Sequence, residues 1–339
     1  MNGKIIVTGG AGYIGSHTTV ALQKAGFSVV ILDNLSNSDI SSIDGIAEIS
    51  GVRPEFINVD CSDIDALDTA FSKHSDAVGV IHFAALKAVG ESIEKPLLYY
   101  RNNLNCLVNV LEMMRKFDIT NIVFSSSATV YGVPEKLPVT EDTPLQPATS
   151  PYGQTKVMGE NIIRDTVHAY PQIRATLLRY FNPIGAHPSG LIGELPNGVP
   201  NNLMPYITQT VAGIRPFLSI FGDDYDTPDG YCVRDYIDVN DLANAHVASM
   251  HYMINGATGT HVFNLGTGHG VSVMELVKSF EKATGLTVPY KIAQRRAGDV
   301  PAIWADASLA ERVLGWRANT SLQDTLASAW RWQEYLKNK

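Results

Sequence analysis

The sequence predicts an α/β protein built on a doubly wound parallel sheet, and three observations carry that reading. Short apolar runs alternate with helical patterns through the first half of the chain. The runs stay apolar throughout, as in Val29-Val30-Ile31-Leu32, which suits strands covered by helices on both faces. A glycine cluster sits between the first run and the first helical pattern, where such a fold turns most tightly.

Lys4–Thr8 is the first strand. The helix after it begins near Ile14, with Thr18, Ala21, Leu22 and Ala25 recurring near helical spacing and Gly26 as its stop. Ser28–Asp33, Glu55–Asp60, Ala77–Ala84, Asn121–Ser127 and Ala175–Phe181 continue the strands, and helices are expected over Ser62–His74, Leu97–Phe117 and Tyr152–Ala169. The alternation makes the first half Rossmann-like, with its ligand beyond the C-terminal ends of the strands. After Phe181 the character changes: Asn182–Gly198 holds four glycines and three prolines, and Phe221–Gly230 is polar and loop-like. The expected division is a dinucleotide-binding domain over 1–182 and a smaller mixed α/β domain over 183–339, with room for elements of the second to return to the first.

Composition excludes several function classes. At 339 residues, 45% hydrophobic and 18% charged, the chain has an ordinary globular balance and enough length for a second small domain. A net charge of −8 argues against a nucleic-acid partner, since phosphate-backbone binding needs a basic face. Cys61, Cys106 and Cys232 are far apart and form neither a disulfide framework nor a zinc motif. The start lacks the pattern of a signal peptide, and no apolar run nears the ~20 residues of a membrane span. No membrane partner, no metal and a cytoplasmic setting are expected. GxSxG and HExxH are absent, so hydrolase and zinc-protease readings fail. His82, in an apolar strand, reads as a satisfied core residue, and His246 and His251 lie too badly spaced on a helix for a metal pair.

Residues 9–15, GGAGYIG, satisfy GxGxxG through Gly10, Gly12 and Gly15, and GxxGxxG through Gly9, Gly12 and Gly15. Such glycines let backbone N–H groups approach a pyrophosphate and seat the helix on the sheet. Alone the loop is weak evidence, but here it follows a strand, opens a helix and has Asp33 at the end of the next strand. Asp33 is placed to accept the ribose hydroxyls, and its charge disfavours a 2′-phosphate, which selects NAD over NADP. Asp60 reads equally well as a second acid on the same crevice or as the cap of the helix starting near Ser62.

Tyr152 and Lys156 form a YxxxK pair, and i and i+4 share one helix face. A phenol with a pKa of ~10 is a poor base at neutral pH, and lowering it by ~3 units takes about 4 kcal/mol. The Lys156 charge and an oxidised nicotinamide ring would both act in that direction. Ser125-Ser126-Ser127 ends a strand one element upstream, and Ser127 could hold a substrate oxygen or pass a proton to Tyr152.

These residues resemble the extended short-chain dehydrogenase/reductase family: TGGAGYIGSH, a serine at the end of the later strand, and YxxxK. FAALKAVGES at 83–92, SSSATVYG at 125–132, SPYGQTK at 150–156 and LRYFNPIGAHPSG at 178–190 narrow the likeness. With PNNLMPYI at 200–207, VRDYIDV at 233–239 and RRAGDVPAIWAD at 295–306, it points to the family's branch of UDP-hexose 4-epimerases over nearly the whole chain.

The resemblance implies a tightly held NAD and reversible C4 epimerisation of UDP-glucose and UDP-galactose through a transient 4-keto sugar, by a homodimer. Tyr152 would be the acid–base group, aided by Lys156 and Ser127. Gly9, Gly12, Tyr13, Ile14, Gly15, Asp33, Asn34, Asn37, Asp60, Cys61, Phe83, Ala84, Lys87, Asn102, Tyr152, Lys156 and Tyr180 match family cofactor positions. Lys87, Ser127, Tyr152, Asn182, Asn202, Phe221, Arg234, Arg296, Asp299 and Ile303 match positions that meet the UDP-sugar. Two arginines in that group suit a diphosphate despite the acidic total.

The chain departs from the branch at Tyr231, Cys232 and Asp238, where Thr, Gly and His are common. It departs again at Ile303, often a Tyr beside the sugar; a smaller residue there would admit N-acetylated UDP-hexosamines. A dehydratase of the same fold would need an acid and a base at Ala128 and Thr129, which supply neither. A catalytically silent NAD sensor would lack Tyr152 or Lys156.

Overall fold

The fold comes from a computed structural model that describes residues 2–296 and 299–339. Ala297 and Gly298 of the 295–306 motif lie outside the described residues. The first half runs β1 (Lys4–Thr8), α1 (Tyr13–Lys24), β2 (Ser28–Asp33), α2 (Ser41–Ser50), β3 (Glu55–Asn58), α3 (Ile64–Lys73) and β4 (Ala77–His82). It continues with α4 (Val89–Glu94), α5 (Pro96–Lys116), β5 (Asn121–Ser127), a 3-10 turn at Ala128–Tyr131, α6 (Pro151–Ala169) and β6 (Arg174–Tyr180). The second half adds β7 (Asn182–Ile184), α7 (Leu203–Val211), β8 (Leu218–Phe221), β9 (Val233–Arg234), β10 (Tyr236–Asp238), α8 (Val239–Ile254) and β11 (Thr260–Leu265). It ends with β12 (Val271–Ser272), α9 (Val273–Thr284), β13 (Tyr290–Ala293), β14 (Ala302–Ile303), α10 (Ser308–Leu314) and α11 (Leu322–Asn338).

The main sheet has seven strands in the order β11-β6-β5-β4-β1-β2-β3, and every pair is parallel. Because each strand is covered on both sides, neighbouring residues feed opposite cores. Ile5, Val7, Val29 and Ile31 pack with Val20 and Leu22 of α1 and Leu242 and Met250 of α8. Ile6, Val30, Leu32 and Val80 face the other way, onto Leu67 and Phe71 of α3, Leu107 and Val110 of α5 and Ile163 of α6. The strand order reverses between β1 and β4, so the loops after them diverge and leave a crevice at their C-terminal ends.

β11 and α8 come from the second half of the chain yet complete this sheet and its covering layer. A separate small core forms where α7, α9 and α11 meet β8 and β10, around Met204, Ile207, Leu218, Tyr236, Leu276, Phe280 and Leu326. Short parallel and antiparallel pairs, β10-β7, β12-β9-β14 and β13-β8, knit this region together. Among the described residues no helix is long and apolar enough to cross a membrane.

Helix starts explain several boundaries. α6 opens on Pro151 behind the Ser150 hydroxyl, which accepts the Gly153 N–H at 3.1 Å. The helix expected from Ser62 begins at Ile64 instead, because Asp63 accepts the N–H groups of Asp65 and Ala66 at 3.2 and 3.1 Å. Asp60 is therefore not the cap. Asp238 caps α8, accepting the Asn240 N–H at 2.7 Å and the Thr325 hydroxyl at 2.9 Å, so an acid at that unusual position ties α8 to α11. Cys232 is buried, and its carbonyl accepts the Val273 N–H at 3.0 Å.

Candidate active site

The glycine loop is tight because three backbones meet in it. Gly9 has φ of 70°, and a Cβ there would sit 2.8 Å from the Ala84 nitrogen, beyond the end of β4. A Cβ on Gly15 would collide with the Gly9 carbonyl oxygen and come within 2.7 Å of Gly10 Cα. Gly12 differs: among the described residues, the only atom its Cβ would crowd is the Gly9 oxygen, at 3.2 Å, and its other side opens on the crevice. No side chain caps α1 at Gly12, so the first N–H groups of the helix stay available to an anion.

Asp33 fixes the loop to the second strand. Its Oδ2 accepts the Ala11 N–H at 3.0 Å, and its Oδ1 accepts the Leu35 N–H and the Ser38 hydroxyl, both at 2.9 Å. A carboxylate has about four acceptor sites, so one lone pair on Oδ2 remains for a ligand. Asp60 lies beside it and accepts the Asn34 amide at 3.0 Å and the Ser62 N–H and hydroxyl at 2.8 and 2.7 Å. Partial burial pushes the Asp60 carboxyl up, but the bonds from Ser62 and Asn34 outweigh it and hold the group below its ordinary range.

These residues line one cleft of about 920 Å³ that runs from Asp33 to Tyr152. The structure brings into it Gly9, Gly12, Tyr13, Ile14, Gly15, Asn34, Asn37, Asp60, Cys61, Phe83, Ala84, Lys87, Asn102, Ser127, Lys156, Tyr180, Asn182 and Asn202. Sequence reasoning passed over Glu194 and Phe181, which also face it. Glu194 Oε1 accepts from Lys87 Nζ at 3.4 Å and from the Asn202 amide at 2.5 Å, joining two sides of the cleft. Nothing in its glycine- and proline-rich surroundings signals this, because the Lys87 contact crosses from another part of the chain and the Asn202 contact depends on how the intervening loop folds back.

At the other end Tyr152 and Lys156 project from the first turns of α6. Lys156 Nζ donates to the Ser125 carbonyl at 2.5 Å and lies 5.7 Å from the centre of the Tyr152 ring. Ser127 faces the cleft beside Tyr152, and its own oxygen accepts the Thr129 N–H at 3.2 Å. Burial pushes Tyr152 up to about 12, against a smaller downward pull from Ser127. Burial also brings Lys156 down to about 8. Without a bound cofactor, the protein's own groups keep Tyr152 a neutral phenol at pH 7. The physical reason is that desolvation penalises the charged form of both groups, the phenolate and the ammonium. Behind them Tyr180 donates to His246 Nε2 at 2.6 Å, since His246 Nδ1 is committed to the Leu242 carbonyl at 2.8 Å. His82 bonds the Thr8 hydroxyl at 2.8 Å and stacks on Phe124 in the core.

Phe221, Arg234, Arg296, Asp299 and Ile303 gather outside this cleft. Asp299 pairs with Arg234 at 3.8 Å and Arg296 at 3.2 Å, and the Arg296 guanidinium lies 4.8 Å from the Phe221 ring centre. Ile303 pairs with Arg234 across β14 and β9 and is buried with Ala128 and Phe181. Phe181 faces the cleft, so it connects the two groups.

The chain matches the family described as GDP-mannose 4,6 dehydratase over residues 6–329. It is 54% identical to the UDP-glucose 4-epimerase of Bacillus subtilis (strain 168), over 97% of this chain and 96% of that one. The crystal structure of the Bifidobacterium longum UDP-glucose 4-epimerase in complex with NAD+ and UDP superposes with a TM-score of 0.96 at 46% identity, covering 99% of each chain. The UDP-Glc/GlcNAc 4-epimerase of Campylobacter jejuni aligns with a TM-score of 0.83 at 36% identity, over 98% of this chain and 99% of that one.

The state of Lys156 has a consequence for stability. Unfolded, the lysine keeps its proton to about pH 10.5; folded, it releases it near 8. Between those values the unfolded chain binds more protons, so folding stability rises with pH, by about 3 kcal/mol at most. Urea unfolding of the cofactor-free protein is expected to show wild type gaining on Lys156→Met across that window. A constant difference between the two would mean that the lysine stays charged when folded.

Proposed function

The chain belongs to the UDP-glucose 4-epimerase family, and from that premise we propose that it interconverts UDP-glucose and UDP-galactose by reversible epimerisation at C4, with NAD held in the cleft. The observation that carries this reading is one continuous cleft with a dinucleotide-type glycine loop at one end and the Tyr152–Lys156–Ser127 group at the other. The family description names a dehydratase, but Ala128 and Thr129 offer no acid or base for removing water.

The residues fit NAD. Gly12 is open toward the cleft, the N-terminus of α1 is uncapped, and Asp33 keeps an acceptor that a 2′-phosphate would repel. Asp33, Asn34, Asn37, Asp60 and Cys61 would hold its adenosine half, and Phe83, Ala84, Lys87, Asn102, Lys156 and Tyr180 the remainder. The chemistry that bound NAD supplies is reversible hydride exchange at C4, which leaves no net redox change and passes the sugar through a 4-keto state.

Tyr152 takes the proton of the sugar 4-hydroxyl and returns it, and Ser127 holds the same oxygen. Burial pushes Tyr152 up to about 12, so positive charge near the phenol, from Lys156 and from an oxidised nicotinamide ring, would favour its phenolate. Epimerisation further requires that the keto sugar offer either face, so the protein must grip the nucleotide and leave the hexose loose. Asn182 and Asn202 on the cleft, and Phe221, Arg234, Arg296 and Asp299 beyond it, are assigned to UDP. The two guanidiniums are held side by side by Asp299, ready for a diphosphate.

We also assign a homodimer through α5 and α6, which pack together and leave Leu97, Val108 and Met158 exposed on their outer face.

Purified protein given UDP-glucose without added NAD is expected, by NMR, to converge on the same UDP-glucose/UDP-galactose mixture that it reaches from UDP-galactose. Tyr152→Phe should keep NAD yet lose about 100-fold or more in kcat; unchanged turnover in that variant removes the proposed base. Ile303 packs beside Phe181, and the added bulk of Ile303→Tyr should lower kcat/KM for UDP-N-acetylglucosamine about tenfold while sparing UDP-galactose. Equal values for both enzymes with the acetylated sugar would exclude Ile303 as the selector. Leu97→Asp with Val108→Asp should halve the mass measured by sedimentation equilibrium, and an unchanged mass would place the interface elsewhere.

A further inference from the structure

α6 carries Tyr152, Lys156 and Glu160 at i, i+4 and i+8, on one stripe of the helix. All three reach the last three residues of β5. Tyr152 faces the cleft beside Ser127, Lys156 donates to the Ser125 carbonyl, and the Ser126 hydroxyl donates to Glu160 Oε1 at 2.6 Å. Two of these contacts belong to the active site. The third lies behind it: neither Ser126 nor Glu160 faces the cleft, and both are 1% exposed.

Glu160 is further fixed by Arg179 of β6, itself 3% exposed, in a two-pronged pair with Nε to Oε1 at 2.9 Å and Nη2 to Oε2 at 2.7 Å. Arg179 Nη1 donates to the Tyr131 hydroxyl at 2.9 Å, and Tyr131 donates to Asn264 Oδ1 at 2.6 Å. The Asn264 amide reaches the Val139 carbonyl at 3.0 Å, and its backbone N–H reaches Glu141 at 2.7 Å. The network therefore ties α6 to β5, to the 3-10 turn that follows Ser127, to β6 and to β11. A buried ion pair returns little more than its desolvation cost, so stability alone is a poor account of it. What a fully bonded, two-pronged pair does supply is a fixed position.

We propose that Glu160, clamped by Arg179 and Ser126, is a positioning residue that sets α6 against the end of β5 and so holds Tyr152 and Lys156 at their working distance from Ser127. The inference rests on Tyr152 being the acid–base group. A misplacement of about 1 Å at a reacting group can cost ~100-fold in rate, so a partial loosening should be visible in kcat while the residues assigned to UDP are untouched.

The test uses the NAD-loaded enzyme carrying Glu160→Gln or Ser126→Ala, with Tyr152→Phe alongside. Glu160→Gln is expected to keep bound NAD and to leave KM for UDP-galactose within about twofold while kcat falls about tenfold. Ser126→Ala, which leaves the ion pair intact, should move kcat the same way by about threefold. A second readout is the spectrophotometric titration of Tyr152, taken as the difference from Tyr152→Phe. The groups that bear on this phenol are Lys156 on its own helix, Ser127 on β5, Tyr180 on β6 and Tyr99 on α5. Moving the Tyr152 phenol away from Ser127, which pulls its pKa down, should shift the titration to higher pH in both variants. If melting temperature falls but kcat and the titration match the parent, the network is structural only and the proposal is overturned. Should Glu160→Gln fail to fold, Ser126→Ala decides by the same criteria. Full turnover by Tyr152→Phe would instead sink the acid–base reading itself.

Discussion

Everything the site does depends on the reversal of strand order between β1 and β4. Two neighbouring strands whose following segments leave in opposite directions cannot close the space above them, and the cleft is that space. Its floor is backbone: Gly9 lies against Ala84 too closely for any side chain, and Gly15 against the Gly9 carbonyl. Asp33 completes the construction by spending three of its acceptor sites on the loop and the turn after β2. The same carboxylate thus shapes the loop and offers its remaining lone pair to a ligand.

The electrostatics divide along the cleft. At the glycine end, helix N–H groups and short hydrogen-bonding side chains provide fixed partial charges that cost little to hold in place. At the Tyr152 end, Lys156 is buried and Tyr152 half-buried, and desolvation pushes both toward neutrality. Added positive charge there favours the phenolate, which suits an enzyme that holds an oxidised dinucleotide through a reaction with no net redox change. Beyond Phe181, Arg234 and Arg296 share Asp299, so two like charges are kept close without a ligand.

The second half of the chain is not a detachable cap. β11 extends the main sheet, α8 covers one of its faces, and His246 on α8 receives the Tyr180 hydroxyl. The acid–base end of the cleft is therefore assembled from both halves, and the buried Glu160–Arg179 pair reaches Asn264 of β11 through Tyr131.

Local features of the sequence determined the strand–glycine–helix unit, the parallel sheet, the placing of Asp33, and Tyr152 with Lys156 on one helix face. These depend on spacing along a strand or helix, and spacing is written directly in the chain. Contacts between distant segments were decided only by the tertiary structure. Glu194 meets Lys87 and Asn202 across the cleft, and Arg179 of β6 pairs with Glu160 of α6 rather than with any other acid. The protonation of Tyr152 belongs to the same class. A sequence shows that a lysine is four residues away, but the balance between its charge and burial is set by the atoms that exclude water around both.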